Sequence, residues 1–174
     1  MNAPPAPRLL VDAMLGKLAR WLVLMGCDAD YAGSRESDLE LMSRARREGR
    51  VFVTRDRGVP EVSGLRLVRV ADPRLEVQLQ QVFSALGPAP EPARWFTRCA
   101  ECNRELEVLT RAQALPSVPP KARELDTTFR RCPGCARVYW DGTHVERARG
   151  RLAGWGFGTP QSPPTAGGAG GVTP

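Results

Sequence analysis

The sequence predicts an α/β chain in two parts: a parallel-sheet domain, then a small C-terminal unit built separately. Three observations predict it. The stretch LLVDAMLGKLARWLVLMG (9–26) reads as a buried strand that ends in a carboxylate and runs straight into a helix. Two further apolar runs, VFV (51–53) and LRLVRV (65–70), alternate with helical patterns, as in βαβ units. Beyond them stand two Cys-x-x-Cys pairs, set apart by the Pro/Gly-rich segment 87–94.

The elements follow in order. Leu9, Leu10 and Val11 form the first strand, with Asp12 at its carboxyl end. Leu15, Leu18, Ala19, Leu22 and Met25 fall on one helical stripe, Lys17 and Arg20 lie off it, and Gly26 stands at the expected left-handed stop. Residues 28–32 predict a short strand. Ser37 and Glu40 spell a capping box, which opens a helix that Gly49 ends. The i, i+3, i+4 and i+7 spacing puts Asp38 on the same inward face as Leu41, Met42 and Ala45. The second buried strand lies within 50–54 and is followed by Arg55 and Asp56; the third spans 65–70. Asp72-Pro73 reads as an N-cap with Pro in the first turn of a helix over 73–86. The predicted boundaries are a disordered start (1–7), a sheet domain (8–86), a linker (87–94), a second unit (95–155) that ends in a helix capped by Thr143 and Glu146, and a disordered tail (156–174).

Composition narrows the function. The chain has 174 residues, 42% of them hydrophobic, which is enough to bury a core. No run approaches the ~18–20 apolar residues of a membrane span. MNAPPAPR lacks an apolar signal core, so a cytoplasmic chain with no membrane partner is expected. The net charge of +6 suits a polyanionic partner. A dinucleotide fingerprint, a Walker loop and a GxSxG elbow are all missing, which removes support for nucleotide-cofactor and covalent chemistries.

What remains is acids and thiols. Strands joined by right-handed crossovers run parallel and share a carboxyl edge, where the chemistry of open α/β sheets collects. Asp12, Asp56 and, at a helix start, Asp38 are placed to meet there. Bare carboxylates that close repel one another, and Mg²⁺ or Mn²⁺ resolves the conflict in an all-oxygen site that can activate water against a phosphate. Three acids also have a structural alternative: an ion pair to Lys17, Arg20 or Arg55 for Asp12, a helix-dipole role for Asp38, and the N-cap for Asp72. Cys99, Cys102, Cys132 and Cys135 give CxxC-x29-CxxC, a four-thiolate set for a closed structural zinc site, a zinc ribbon. His144 is the only histidine. The thiolates already close the zinc site, so it is read either as a contact to a phosphate or a base near the ribbon, or as a helix-start residue. Trp95, Tyr139 and Trp140 flank the knuckles as ribbon core or as stacking platforms.

Taken together, VDAMLGKLARWLVLMG, SDLELMSRAR, GRVFVTRDRG, RCAECNREL, FRRCPGCARVYW and GTH resemble the Mut-seven C-terminal RNase family, over about residues 8–150. The resemblance implies a PIN-like parallel-sheet ribonuclease domain fused to a zinc ribbon, with RNA, single-stranded or structured, as partner. It maps Asp12, Asp38 and Asp56 onto catalytic, Mg²⁺- or Mn²⁺-binding positions, with Asp72 as candidate fourth acid. Lys17, Arg20 and Arg55 match basic positions suited to phosphate. The expected function is metal-dependent hydrolysis of RNA; the alternative is a non-catalytic zinc-ribbon RNA-binding or adaptor protein.

Overall fold

The structure is a computed structural model and describes residues 7–33 and 36–158. Four short strands, β1 (Leu9–Val11), β2 (Ala29–Tyr31), β3 (Val51–Thr54) and β4 (Leu67–Arg69), form one sheet in the order β2-β1-β3-β4. Every pairing is parallel, with Leu10 opposite both Asp30 and Phe52. Helices α1 (Gly16–Leu24), α2 (Asp38–Glu48) and α3 (Leu75–Leu86) cover it.

The period of two along the strands splits the core. Leu9, Val11, Val51, Val53 and Val68 point to the face packed by α1 and α3, where Leu18, Leu22, Leu79 and Val82 meet them. Leu10 and Phe52 point the other way, onto Leu41, Met42 and Ala45 of α2. Helices on both faces explain why β1 and β3 are apolar without a break.

Local chemistry sets the boundaries. A 3-10 turn, Ala13–Leu15, joins β1 to α1. Gly26 takes φ +86°, and a Cβ there would lie 2.3 Å from the Arg94 carbonyl oxygen, so only glycine fits. At α2 the Ser37 backbone N–H donates to Glu40 Oε2 at 2.7 Å and the Glu40 N–H to Ser37 Oγ at 3.4 Å, the expected capping box. Two expectations shift. The third strand is shorter than 65–70, and α3 starts at Leu75 rather than at Pro73. Asp72 Oδ1 accepts the Arg74 N–H at 2.8 Å, a local turn that delays the helix.

The second unit has its own antiparallel sheet, in the order β5 (Glu107–Leu109), β6 (Phe129–Arg131), β7 (Val138–Trp140). Two one-turn helices, α4 (Arg111–Ala114) and α5 (Pro120–Arg123), cross over it. Its small apolar cluster buries Leu109, Ala114, Val118, Ala122 and Phe129, with the partly buried Val138 and Trp140 packed against it. Helix α6 (Thr143–Gly154) follows. Gly142 is its N-cap, with no side-chain cap bond, so the expected Thr143 cap does not form.

The ends of this unit belong to the first core. Trp95 and Leu152 are buried with the α1/α3 cluster, and Trp155 meets Trp21 edge-on at 4.9 Å. Phe157, placed by the sequence in a disordered tail, is 5% exposed and meets Phe83 edge-on at 5.7 Å. The aromatic pair Trp155/Phe157 extends the ordered chain past residue 155, because each ring finds an apolar partner on α1 or α3. The rest of the expected disordered ends, 1–6 and 159–174, lies outside the described residues.

Candidate active site and metal centre

Parallel strands bring their carboxyl ends to one edge, and the order β2-β1-β3-β4 puts the topological switch between β1 and β3. Asp12 follows β1 there and is 7% exposed. Thr54, the last residue of β3, is fully buried, and its hydroxyl donates to Asp12 Oδ2 at 2.5 Å. The same hydroxyl oxygen accepts the Asp56 N–H at 3.0 Å, and Asp56 Oδ1 accepts the Gly58 N–H at 2.7 Å. One threonine therefore ties two acids of different strands together. Among the described residues no Lys or Arg pairs with Asp12, so the expected ion-pair alternative does not form.

The other predicted residues stand further out. Asp38 is exposed as the first residue of α2 rather than facing inward, because the face that covers Phe52 begins a turn later with Leu41 and Met42. Asp72 lies beyond β4 and is held by Arg74: guanidinium and N–H both hydrogen-bond to it and hold its carboxyl below the usual range, with Arg55 adding to the effect at longer reach. Lys17, Arg20 and Arg55 are exposed, as is His144 at the second position of α6. Thr54 is the residue that sequence reasoning missed. Its signal was a polar side chain at the end of an otherwise apolar buried strand, VFVT.

The four cysteines do converge. Their sulfurs all lie within 4.8 Å of one another, with Cys99 and Cys132 buried and Cys102 and Cys135 exposed. Two matching turns build the set. The Asn103 N–H donates to the Cys99 carbonyl at 2.9 Å and the Ala136 N–H to that of Cys132 at 3.0 Å, and both residues sit at left-handed φ, +57° and +58°. Three of the sulfur–sulfur separations, Cys99–Cys135, Cys99–Cys102 and Cys102–Cys132, are 3.2–3.6 Å, close to the ~3.8 Å edge of a tetrahedron with Zn–S bonds of about 2.3 Å. Burial pushes the Cys99 thiol up, but hydrogen bonds from the Tyr139 hydroxyl and the Cys102 and Glu101 backbone outweigh it and lower it to about 6. The hydrogen bond to Cys132, followed by burial, pushes Cys102 up to about 12. Cation binding to such a set releases protons. The donor chemistry, four soft thiols at tetrahedral spacing, fits zinc. Burial pushes the fifth cysteine, Cys27, up to about 12, and it stays a protonated core residue.

The two parts meet at the knuckle. The Phe96 N–H donates to the Leu24 carbonyl at 2.7 Å, Arg98 Nε to that of Gly26 at 3.3 Å, and Asn103 Nδ2 to Asp28 Oδ1 at 2.8 Å.

A family model described as the Mut7-C RNAse domain matches residues 7–152, both the acidic edge and the cysteine cluster. The chain belongs to the Mut7-C RNAse domain family. That membership points to a ribonuclease-type hydrolase with RNA as substrate, in keeping with the resemblance read from the sequence. No match was found among curated proteins or among solved structures.

Proposed function

We propose that this chain is a divalent-metal-dependent ribonuclease of PIN-like architecture. It hydrolyses RNA phosphodiester bonds at the β1–β3 edge, and the cysteine cluster holds structural zinc in a ribbon that grips the RNA. The observation that carries the reading is Asp12: a carboxylate 7% exposed, at the topological switch, with no basic partner among the described residues. A carboxylate so placed is costly without a counter-charge, and a cation supplies one. Asp12 and Asp56 would hold Mg²⁺ or Mn²⁺; Asp38, exposed at the start of α2, and Asp72, which would first have to leave Arg74, are the further candidate ligands. When bound, such a cation acidifies water and offsets the negative charge of the reacting phosphate.

The chain's own groups do the rest. Thr54 occupies one oxygen of Asp12 and leaves Oδ1 for a ligand. The Gly58 N–H occupies Oδ1 of Asp56 and fixes its orientation. Lys17, Arg20 and Arg55, all exposed, are suited to hold phosphates of the bound strand. Hydrolysis forms a P–O bond from water and breaks the P–O bond to the leaving ribose oxygen, which takes up a proton.

One observation favours the alternative, a non-catalytic RNA-binding or adaptor protein: among the described residues no three carboxylates lie within 4.8 Å of one another. Incubating single-stranded RNA with the zinc-loaded chain separates the two. Cleavage that requires added Mg²⁺ or Mn²⁺ supports the nuclease. RNA that is bound but stays intact with either ion supports the adaptor.

A further inference from the structure

Away from the acidic edge, a cleft of about 320 Å³ opens between α1 and the ribbon. Arg20 and Leu24 line it from α1, Trp140 from β7 and His144 from α6, with Phe96 between the two parts of the chain. That volume is at the lower end of the range for small-ligand pockets. Phe96 is held at φ +61°, a backbone region that bulky residues avoid, by its N–H bond to Leu24. The fold accepts that conformation and so fixes an aromatic ring in the lining of the cleft, with the Arg149 guanidinium 5.0 Å from the ring's centroid.

The charges in the cleft are sorted. Arg98 is committed to the Gly26 and Asn103 carbonyls and to Glu105. Arg130 neutralises Asp141, the one carboxylate lining the cleft, at 3.5 Å. Arg20 and His144 remain: both are exposed, and among the described residues neither is paired with a carboxylate. Trp140 Nε1 likewise has no hydrogen-bond acceptor among the described residues. Aromatic rings, a spare N–H donor and two uncommitted basic groups on the rim are the chemistry that binds unpaired nucleotides, bases by stacking and phosphates by charge.

We propose that this cleft seats one unpaired base of the RNA against Trp140, beside Phe96, with Arg20 and His144 taking the flanking phosphates. The inference rests on the ribonuclease reading above and adds a subsite to it. Bridging the nuclease sheet and the ribbon, the cleft would set which stretch of a strand reaches the acids. It would also favour single-stranded over duplex RNA, since a paired base cannot enter.

The test is fluorescence anisotropy of a short labelled single-stranded RNA on the zinc-loaded full chain, without added Mg²⁺ or Mn²⁺ so that nothing is cut. One abasic residue is walked along the oligomer. In the wild-type chain one position should lower affinity by about tenfold, the scale of a lost stacked base. Trp140→Leu keeps apolar bulk but has no π face; it should weaken the intact oligomer by a similar factor and abolish the abasic effect. Arg20→Ala should lessen the salt dependence. A wild-type chain that binds and cuts RNA yet is indifferent to every abasic position overturns the cleft while leaving the nuclease intact. So does a Trp140→Leu variant that keeps both affinity and abasic sensitivity. The wild-type abasic series needs no variant, so a misfolded Trp140→Leu cannot mask the result. If the wild-type chain neither binds nor cuts RNA, the ribonuclease reading falls and the cleft with it.

Discussion

The cysteines and the acids are both placed by turns, yet the sulfurs lie within 4.8 Å of one another and the carboxylates form no such group among the described residues. The difference lies in what holds each set. Each knuckle is a few residues long and fixes two thiols by its own backbone bonds, so only two pieces must meet. The acids come one from each of several elements, and the sheet brings them to a common edge without closing them on a point. Thr54 alone ties Asp12 to the loop carrying Asp56. A closed site suits a structural ion, and an open edge leaves room for water and substrate.

The same contrast ranks the consequences of breaking each part. The ribbon's small cluster contrasts with the long core of the sheet domain. Structural zinc binds with an apparent ~10–16 kcal/mol in small units, more than so small a core contributes alone. Cys132→Ser should therefore abolish zinc binding and unfold the ribbon. Limited proteolysis should then cut within 99–140. The piece carrying α6 should still co-elute with the sheet domain, because Leu152 and Phe157 pack there. Clean separation of the two pieces on native gel filtration would show that α6 depends on the ribbon.

Phe157→Ala should be the next largest, costing about 3–5 kcal/mol of the sheet domain's stability. Denaturant melts read this directly, and an unchanged midpoint would mean that the Phe83–Phe157 contact contributes nothing. Thr54→Val keeps the shape of the strand end but frees Asp12. By analogy with the supporting shell of other metal sites, it should lower metal affinity or cleavage about 10–100-fold. Activity equal to wild type would remove Thr54 from the account.

The smallest effect concerns the joint. Burial pushes the Asp28 carboxyl up, but hydrogen bonds from Arg50, Asn103 and Arg8 outweigh it and hold it below its ordinary 3.8. A lowered folded-state pKa gives stability that is present above the ordinary value and lost as the pH falls through the lowered one. Asp28→Asn should therefore destabilise the chain slightly at neutral pH and flatten its acid unfolding below about pH 4. Thermal melts across that range check it; identical pH profiles would show that the joint carries no such linkage.

Much of this was legible beforehand. β1 and β3 announced themselves as unbroken apolar runs, the capping box and Gly49 bracketed α2, and the CxxC spacing named the thiol set. What escaped depends on tertiary context. Nothing local distinguishes Phe157 from a tail residue; only the Phe83 ring on α3 does. Helical spacing put Asp38 on the inward face, but periodicity does not say where the neighbouring sheet ends. Asp72 read as a cap because Pro73 followed it, whereas the Arg74 guanidinium and N–H claim both of its oxygens. Thr54 was hidden because a hydroxyl at a strand end carries no signal until its partner on another strand is known.

Asp12 at the β1–β3 edge is the group proposed to carry metal-dependent cleavage. Its most direct test is cleavage of a labelled single-stranded RNA by the zinc-loaded full chain and its Asp12→Asn variant, each with and without Mn²⁺ and each checked for fold by circular dichroism. The account predicts cutting by the wild-type chain only with Mn²⁺, and none by a folded Asp12→Asn chain. Cutting without a divalent cation, or equal cutting by the variant, would contradict it.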